Sequence, residues 1–120
     1  MLDGGICDPI PFRKACEDGY DRMVLVLTRN KGYRKEEEVK LPPFFYHKYP
    51  ALKNRLYHRM REYNKTMDEI EMMEKNNKAI VIRPQKPLVV DRIERNIKKL
   101  TDLYEEGYHC AEAVFSAVNL

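Results

Sequence analysis

Apolar residues between positions 50 and 76 recur at intervals of four or three residues. They are Leu52, Leu56, Met60, Tyr63, Met67, Ile70 and Met73. This spacing places them along one face of an α-helix, because an α-helix has about 3.6 residues per turn. The pattern therefore predicts a long helix at about residues 50–76. A methionine-rich face can also bind a lipid or a partner, but packing within the domain is its commoner role.

Two short apolar runs lie on either side of this helix, at about residues 22–28 and 79–83. Their aliphatic residues follow one another without polar alternation, which is typical of strands covered on both faces. The second run ends at Arg83 and Pro84, because proline has no N–H to continue a sheet. A strand, a helix and a second strand form a crossover unit. We therefore expect parallel strands that end at the same edge of a sheet.

Helix signals also occur before this unit. Asp8 is a good N-cap for a short helix whose first turn holds Pro9 and Pro11, and Gly19 is a good end for it. Residues 29–41 are polar and predict a loop.

Near the C-terminus, Asp91 and Glu94 have the spacing of a capping box that opens another helix, which we expect to end at Gly107. Its expected inner face consists of Ile93, Ile97, Leu100 and Tyr104. A last helix at about 108–118 is expected to close over the core through Ala111, Val114, Phe115 and Val118. The predicted fold class is α/β: a small, helix-rich arrangement with two parallel strands, a long helix and C-terminal helices.

The composition fits one domain that spans residues 1–120. With 43% hydrophobic residues, a chain of this length can bury about two thirds of its unfolded surface. No apolar run approaches the roughly 18 residues of a membrane span, and the N-terminus lacks the pattern of a signal peptide. Three cysteines are too few for a disulfide framework, so we expect a reducing compartment, the cytoplasm.

The histidines and cysteines do not have the spacing of a metal site. His47 and His58 stand eleven residues apart with no cysteine nearby, so neither a metal nor a cofactor is expected. His109 and Cys110 are adjacent on a predicted helix and do not face each other, which excludes a Cys/His catalytic pair. Each cysteine is interpreted as a small, buried apolar residue.

The net charge of +3 is unevenly distributed along the chain. Residues 29–61 contain ten Lys or Arg against three Glu, whereas residues 62–76 have a net charge of −3. Aromatic residues are interleaved with the basic segment: Tyr33, Phe44, Phe45, Tyr46, Tyr49 and Tyr57. Such combinations occur on nucleic-acid surfaces and at membrane interfaces. Because no nucleic-acid-binding motif accompanies them, we expect transient membrane-surface contact and no nucleic-acid partner.

Candidate chemistry lies near the start of the chain, at Asp3, Gly4 and Gly5. Asp-Gly is a common turn dipeptide. A carboxylate followed by two glycines also suits a general base, because glycine lets the backbone turn sharply beside a nucleophile. The segment at residues 2–11 resembles the catalytic-aspartate segment of the bacterial patatin-like phospholipases. The similarity continues in the same order through VLVLTRNKGYRK at 24–35, FYHKYP at 45–50, IRPQKPL at 82–88 and LYEEGY at 103–108.

This resemblance implies the C-terminal portion of a serine acyl hydrolase that cleaves lipid acyl esters with a Ser/Asp dyad. It implies a larger α/β/α fold that the chain completes, with residues 1–49 ending the catalytic core and residues 50–120 forming a helical C-terminal region. Asp3 corresponds to the dyad base and the two glycines after it to its turn. The family's oxyanion segment and G-x-S-x-G elbow have no counterpart here, and the single serine is Ser116. We therefore expect the chain to be inactive alone.

Four basic residues follow the two predicted strands and form a candidate anion site. Arg29, Lys31 and Arg34 come after the first strand, and Arg83 follows the second. Ligands of open α/β sheets bind outside the carboxyl ends of strands, and arginine can contact two oxygens of an anion at once. We interpret these residues as binding a phosphate-bearing or carboxylate-bearing lipid near Asp3. The alternative is that they are solvated loop cations and that Arg29 or Arg83 pairs with a structural carboxylate.

A second class of function also fits the sequence. An independent, non-catalytic binding module would use the basic aromatic segment to contact an anionic lipid or another anionic partner. In either class, an exposed sheet edge would invite homo-oligomer formation, because unpaired strand edges pair readily with other chains.

Overall fold

A computed structural model describes residues 8–36, 42–91 and 93–118 of the chain. The elements in this described part are α1 (Phe12–Glu17), β1 (Met23–Val26), α2 (Pro43–Lys48), α3 (Pro50–Lys75), β2 (Ala79–Ile82) and α4 (Ile97–Ala117). The chain is a small, helix-rich α/β structure, as predicted.

Strands β1 and β2 pair in parallel, which confirms the crossover prediction. The register joins Met23 to Ala79 and Val26 to Ile82. The backbone N–H of Leu27 donates to the carbonyl of Ile82 at 2.8 Å, so the pairing continues one residue past β1. Each strand has four residues and is shorter than its apolar run.

The chain forms two compact units, each built from two stretches of sequence. The first consists of Met1–Asp21 and Arg34–Lys75, and we call it the helical unit because it contains α1, α2 and α3. The second consists of Arg22–Tyr33 and Asn76–Leu120, and we call it the sheet unit because it contains β1, β2 and α4. The boundary predicted between residues 49 and 50 concerns a larger hydrolase and stays a prediction.

The apolar face of α3 lies where its periodicity predicts. Met67 and Ile70 are fully buried, and Tyr63 is 8% exposed. The remaining members of the face are partly buried. Met72 lies off this face and is 65% exposed, which confirms that spacing rather than residue type decides burial here.

The short helix α1 begins later than predicted. Its N-cap is Pro11, with no side-chain cap, so Asp8 does not have the predicted capping role. Two prolines, Pro9 and Pro11, precede the start, and proline is favoured only in the first turn of a helix. Gly19 has a φ of +90°, which confirms the predicted end, because this conformation favours glycine.

Helix α2 was not predicted, since its sequence reads as part of a basic aromatic segment. Pro43 occupies the first helical position, and a single residue, Tyr49, separates α2 from α3. The Tyr49 carbonyl accepts from the backbone N–H groups of Leu52 at 3.1 Å and Lys53 at 3.3 Å, which starts α3. Pro50 at the first position of α3 lacks an N–H that would otherwise have no helical acceptor.

The two predicted C-terminal helices are one continuous helix, α4. Asn96 is its N-cap, and the Asn96 side-chain oxygen accepts from the Lys99 N–H at 3.3 Å. The predicted capping box at Asp91 is therefore wrong. The Glu94 carboxylate instead accepts from the backbone N–H groups of Asn96 at 2.9 Å and Arg95 at 3.0 Å. These bonds, that of Asn96 first, lower the pKa of Glu94. Gly107 lies inside α4 and does not end it.

The face of α4 that packs inward differs from the predicted one. Of the expected inner residues, Ile93 and Ile97 are both 78% exposed, and Tyr104 is 73% exposed. Cys110 is buried instead, as expected for this cysteine, and Leu103 is partly buried. The apolar positions of α4 cover a wide arc, and contact with β2 accounts for only one side of it.

Exposure also corrects three further predictions. The strand β1 is not covered on both faces, because Val24 is 47% and Val26 is 73% exposed. Cys16 is a free, exposed thiol rather than a buried apolar residue. Phe115, expected to close over the core, is 43% exposed.

Candidate functional site

A cleft of about 480 Å³ opens in the sheet unit where the two parallel strands end. Its lining comes from the ends of both strands, the segment after β2 and the middle of α4. The lining residues are Val26, Leu27, Thr28, Ile82, Arg83, Pro84, Leu88, Leu103, Tyr104, Glu106, Gly107, Tyr108, Cys110 and Ala111. The location agrees with the general rule that open α/β sheets bind ligands beyond the carboxyl ends of their strands.

The lining of the cleft is predominantly apolar. Leu27, Ile82 and Cys110 are each 8% exposed and belong to the packed part of the unit. Tyr104 and Tyr108 are 73% and 56% exposed and stand on the open side. Pro84, two residues after β2 ends, cannot continue the strand pairing, so the segment after it leaves the sheet and gives the cleft its Leu88 wall. A cleft of this size and character suits an apolar ligand group.

Two opposite charges accompany this apolar lining. Arg83 follows β2 directly, and Glu106 lies on α4, one turn before Cys110. Both side chains are partly buried. The cleft therefore has both a cationic and an anionic group with which a polar end of a ligand can interact.

Of the basic residues predicted to bind an anion, Arg83 alone lines the cleft within the described part of the chain. Arg29 lies in the same unit, with its guanidinium 4.9 Å from the centre of the Tyr33 ring. Such an arrangement is a cation–π contact. Lys31 is exposed in the turn after β1.

Arg34 belongs to the helical unit, where acidic residues of α3 surround it. Its Nε and Nη2 donate to Asp68 at 3.1 and 2.5 Å, and its Nη1 donates to Glu71 at 3.3 Å. The hydrogen bond with Glu71 is the main cause that raises the pKa of Arg34. Arg34 therefore pairs with carboxylates of its own unit, a pairing that the sequence suggests only for Arg29 or Arg83.

The side chain of Asn64 forms two hydrogen bonds with the backbone of Lys35, the residue after Arg34. The Asn64 side chain accepts from the Lys35 N–H at 2.8 Å and donates to the Lys35 carbonyl at 3.0 Å. The Lys35 Nζ lies 4.3 Å from the centre of the Tyr63 ring. Side chains of the loop and side chains of α3 both form these contacts, which fix the loop containing Arg34 and Lys35 to α3.

A second arginine with two carboxylate partners was not predicted. The Nε and Nη2 of Arg13, on α1, donate to the two oxygens of Glu69 at 2.9 Å each, and Nη1 donates to Glu62 at 3.2 Å. The hydrogen bond with Arg13 lowers the pKa of Glu69, and the same bond raises the pKa of Arg13. The signal in the sequence is the seven-residue spacing of Glu62 and Glu69, which places both on one face of α3.

Aromatic and basic side chains share the exposed surface of α2 and the first half of α3. Phe44, Tyr49 and Tyr57 are 63%, 48% and 40% exposed. The Lys48 Nζ lies 5.7 Å from the centre of the Tyr49 ring, and the Arg61 guanidinium lies 6.0 Å from that of Tyr57. We call these five residues the basic aromatic surface.

The remaining candidate residues are placed as follows. Asp3, Gly4 and Gly5 lie outside the described residues. Ser116 is exposed on α4. In the described ranges there is no group of three His, Cys, Asp or Glu residues that could hold a metal ion. No helix among these ranges combines the length and apolar character needed to cross a membrane.

Among known protein families, one family model matches the chain. Residues 49–119 match a family model described as a domain of unknown function, DUF6363. The match covers more than half of the chain. The chain belongs to the DUF6363 family. The matched residues include α3, β2 and α4 but not β1, so β2 pairs with a strand outside the matched region. No curated protein and no solved structure matches the chain.

Proposed function

We propose that the chain is the C-terminal portion of a patatin-like serine acyl hydrolase, to which it contributes the dyad aspartate, Asp3. The apolar cleft beyond the ends of β1 and β2 is the observation that carries the proposal. The segments that resemble the family at residues 24–35 and 82–88 include both strand ends, and the segment at 103–108 lies on the α4 wall. In this proposal the cleft receives the acyl chain of a lipid ester.

The chemistry divides between this chain and a serine that its sequence lacks. The serine hydroxyl attacks the ester carbonyl while the Asp3 carboxylate takes its proton, and Asp3 then passes this proton to the departing alkoxide, so that the alcohol leaves and an acyl-enzyme remains. Asp3 then accepts a proton from a water that attacks the acyl-enzyme and gives it to the serine oxygen as the acyl–oxygen bond breaks, which releases the fatty acid and restores the serine hydroxyl. An Asp ordinarily has a pKa of about 3.9, so a desolvated site would make Asp3 a better base.

The proposal includes a location. The free, exposed thiol of Cys16 supports a reducing compartment, the cytoplasm, since exposed thiols oxidise in secreted proteins. A lipid substrate requires at least transient contact with a membrane surface.

The test begins with the chain as it stands. Incubation with p-nitrophenyl butyrate and a fluorophosphonate probe should give neither turnover nor labelling. Turnover with labelling at Ser116 would contradict the proposal. Joined to a polypeptide that supplies the G-x-S-x-G segment, the chain should support hydrolysis, and Asp3→Asn should lower kcat by about 10²- to 10⁴-fold. Asp8→Asn is the matched control, and equal activity of the two variants would also reject the assignment of Asp3.

The basic aromatic surface favours a second candidate function, contact with an anionic lipid surface. Tyrosine and phenylalanine insert at the level of the headgroups, and neighbouring Lys and Arg attract anionic lipids. Phe44 and Tyr57 are exposed beside Lys48 and Arg61 in the same unit.

Vesicle sedimentation tests this second function. Binding to phosphatidylcholine vesicles should rise when phosphatidylglycerol is included and fall in high salt, because salt screens the attraction. Phe44→Ser combined with Tyr57→Ser should weaken binding at least about threefold, given the apolar area removed. Tyr20→Ser, at a tyrosine that is 64% exposed elsewhere in the helical unit, is the control. Equal binding to both vesicle types would exclude the function.

A further inference from the structure

A line of exposed apolar side chains runs along α4 in the sheet unit. Ile97, Leu100, Tyr104, Tyr108 and Phe115 are 78%, 44%, 73%, 56% and 43% exposed. Their spacing of three, four, four and seven residues keeps them on one side of the helix. A helix of 21 residues is about 30 Å long, so the line extends over most of that length. We call these five residues the α4 stripe.

The charges along one edge of the α4 stripe change sign from end to end. Lys98, Glu105 and Glu112 are spaced seven residues apart, so they form a second line beside the stripe. All three are exposed. Glu112 also lies 3.3 Å from the Nδ1 of His109 in its own helix, which holds the carboxylate on this edge. The edge is positive near the start of α4 and negative towards its end.

We infer that the α4 stripe is a homodimer interface in which α4 of a second copy lies antiparallel. A two-fold axis near Glu105 places Lys98 of each copy beside Glu112 of the other, so the ion pair forms twice. A parallel arrangement brings identical residues to the same height and leaves Lys98 far from Glu112. The self-complementary charge pattern therefore selects both the occupant, a second copy, and its direction. The inference does not depend on the proposed hydrolase, but Tyr104 and Tyr108 also line the open side of the cleft, so the dimer would narrow the entrance to the cleft.

The same geometry has one unfavourable contact. Glu105 of the two copies approach each other at the axis, and like charges at a helix interface repel. This repulsion makes the dimer weaker than it would be from the apolar contacts of the α4 stripe alone. Removing the charge at Glu105 therefore tests the register.

Sedimentation equilibrium of the complete chain and its variants tests the inference. The chain should dimerise, and Ile97→Glu should make it monomeric, because it places two charges in the apolar interface. Val89→Glu, at a valine that is 79% exposed outside α4, is the matched control and should leave the dimer intact. Circular dichroism of each variant should retain the helical signal, since all these positions are exposed. A monomeric chain, or a dimer that survives Ile97→Glu, would overturn the inference.

Charge exchange tests the direction of the pair. Lys98→Glu alone and Glu112→Lys alone should each weaken dimerisation about tenfold, because two attractive pairs become repulsive. The double variant should return the dissociation constant to within about threefold of the original, since the pattern is again self-complementary. Glu105→Gln should strengthen the dimer. Failure of the double variant to recover would reject the antiparallel register.

Disulfide trapping gives an independent readout. In a chain with Cys7 and Cys16 replaced by Ser, Glu105→Cys should form a disulfide dimer under mild oxidation, whereas Lys98→Cys should not. Equal cross-linking at both positions would indicate a parallel pair and contradict the inference. A dimer abolished by Val26→Lys and unaffected by Ile97→Glu would assign the interface to the β1 edge instead, and would equally contradict it.

Discussion

The helical unit and the sheet unit differ in where their apolar side chains and their charges lie. In the helical unit, Met67 and Ile70 are fully buried, and Arg13 and Arg34 each contact two carboxylates. In the sheet unit, valines of β1 and most of the apolar residues of α4 are exposed.

This difference separates two tasks. The helical unit buries the inner face of α3 and pairs Arg13 and Arg34 with its own carboxylates, as a stable scaffold does, and the basic aromatic surface is a part of it that exposes apolar side chains. The sheet unit leaves apolar surface exposed around a cleft, which is typical of surfaces that bind ligands or partners. Arg34, which the sequence suggests as an anion-binding residue, therefore contributes mainly to structure. Most of the candidate binding surface is apolar.

The largest expected effect on the free energy of unfolding comes from a substitution in the core of the helical unit. Ile70→Ala should lower the free energy of unfolding by about 3 kcal/mol, because a fully buried side chain leaves a cavity. Val26→Thr in the sheet unit should change it by less than about 0.5 kcal/mol, since Val26 is 73% exposed. Urea denaturation followed by circular dichroism measures both. Met72→Ala is the control on α3, and a loss there comparable to that of Ile70→Ala would refute the assigned face.

The arginine contact between α1 and α3 should have a smaller effect. Arg13→Ala should lower the free energy of unfolding by about 1 kcal/mol, because the pairs are bidentate but their side chains are 37–52% exposed to screening water. A double-mutant cycle with Glu69→Gln measures the coupling. Lys14→Ala, whose ion pair with Asp18 is local and exposed, is the control. Coupling no larger than that of Lys14 with Asp18 would contradict the role of Arg13.

Two glycines in different units should respond oppositely to alanine. Gly107→Ala should stabilise the chain by about 0.5–1 kcal/mol, because Gly107 is inside a helix and an added Cβ meets nothing within 4 Å. Gly19→Ala has the same free space but should destabilise, since its φ is +90°. Thermal unfolding distinguishes the two. Destabilisation by Gly107→Ala would mean that α4 does not continue through this position.

Acid should weaken the helical unit through Glu69. The Arg13 hydrogen bond lowers the pKa of Glu69 in the folded chain, so this stabilisation is present above the unfolded pKa of about 4.3. It is lost as the pH falls through the lower folded value. The expected change is a few tenths of a kcal/mol, given the exposure of the pair. Urea titrations between pH 7 and pH 3 should show a shallower decline for Arg13→Ala, and identical slopes would exclude this linkage.

The sequence predicts an element of this structure well where a single local pattern determines both the element and its buried face. The apolar period of α3 continues over many residues, so the helix and its buried face were both predicted. The parallel pair followed from two apolar strands with a helix between them. In α4, by contrast, apolar residues occupy two neighbouring sides, and the period alone cannot say which side packs on β2.

The contacts of the candidate site are less predictable for a related reason. That Arg83 ends a strand follows from its order in the chain, but the cleft beside it depends on where α4 packs. The seven-residue spacing of Glu62 and Glu69 predicts that they share a helix face. Their partner, Arg13, is distant in the chain, so the spacing cannot predict it. Glycine often has a positive φ and so predicts a helix end at Gly107, but α4 continues through this position.

The register of the two strands has a consequence for synthesis. β1 pairs with β2, and all of α2 and α3 lies between them in the chain. A ribosome that adds about 5–20 residues per second leaves β1 without its partner for several seconds. During that interval the apolar β1 segment is accessible to chaperones and to other nascent chains. The order of the elements thus makes the sheet unit the last part of the chain to become protected during translation.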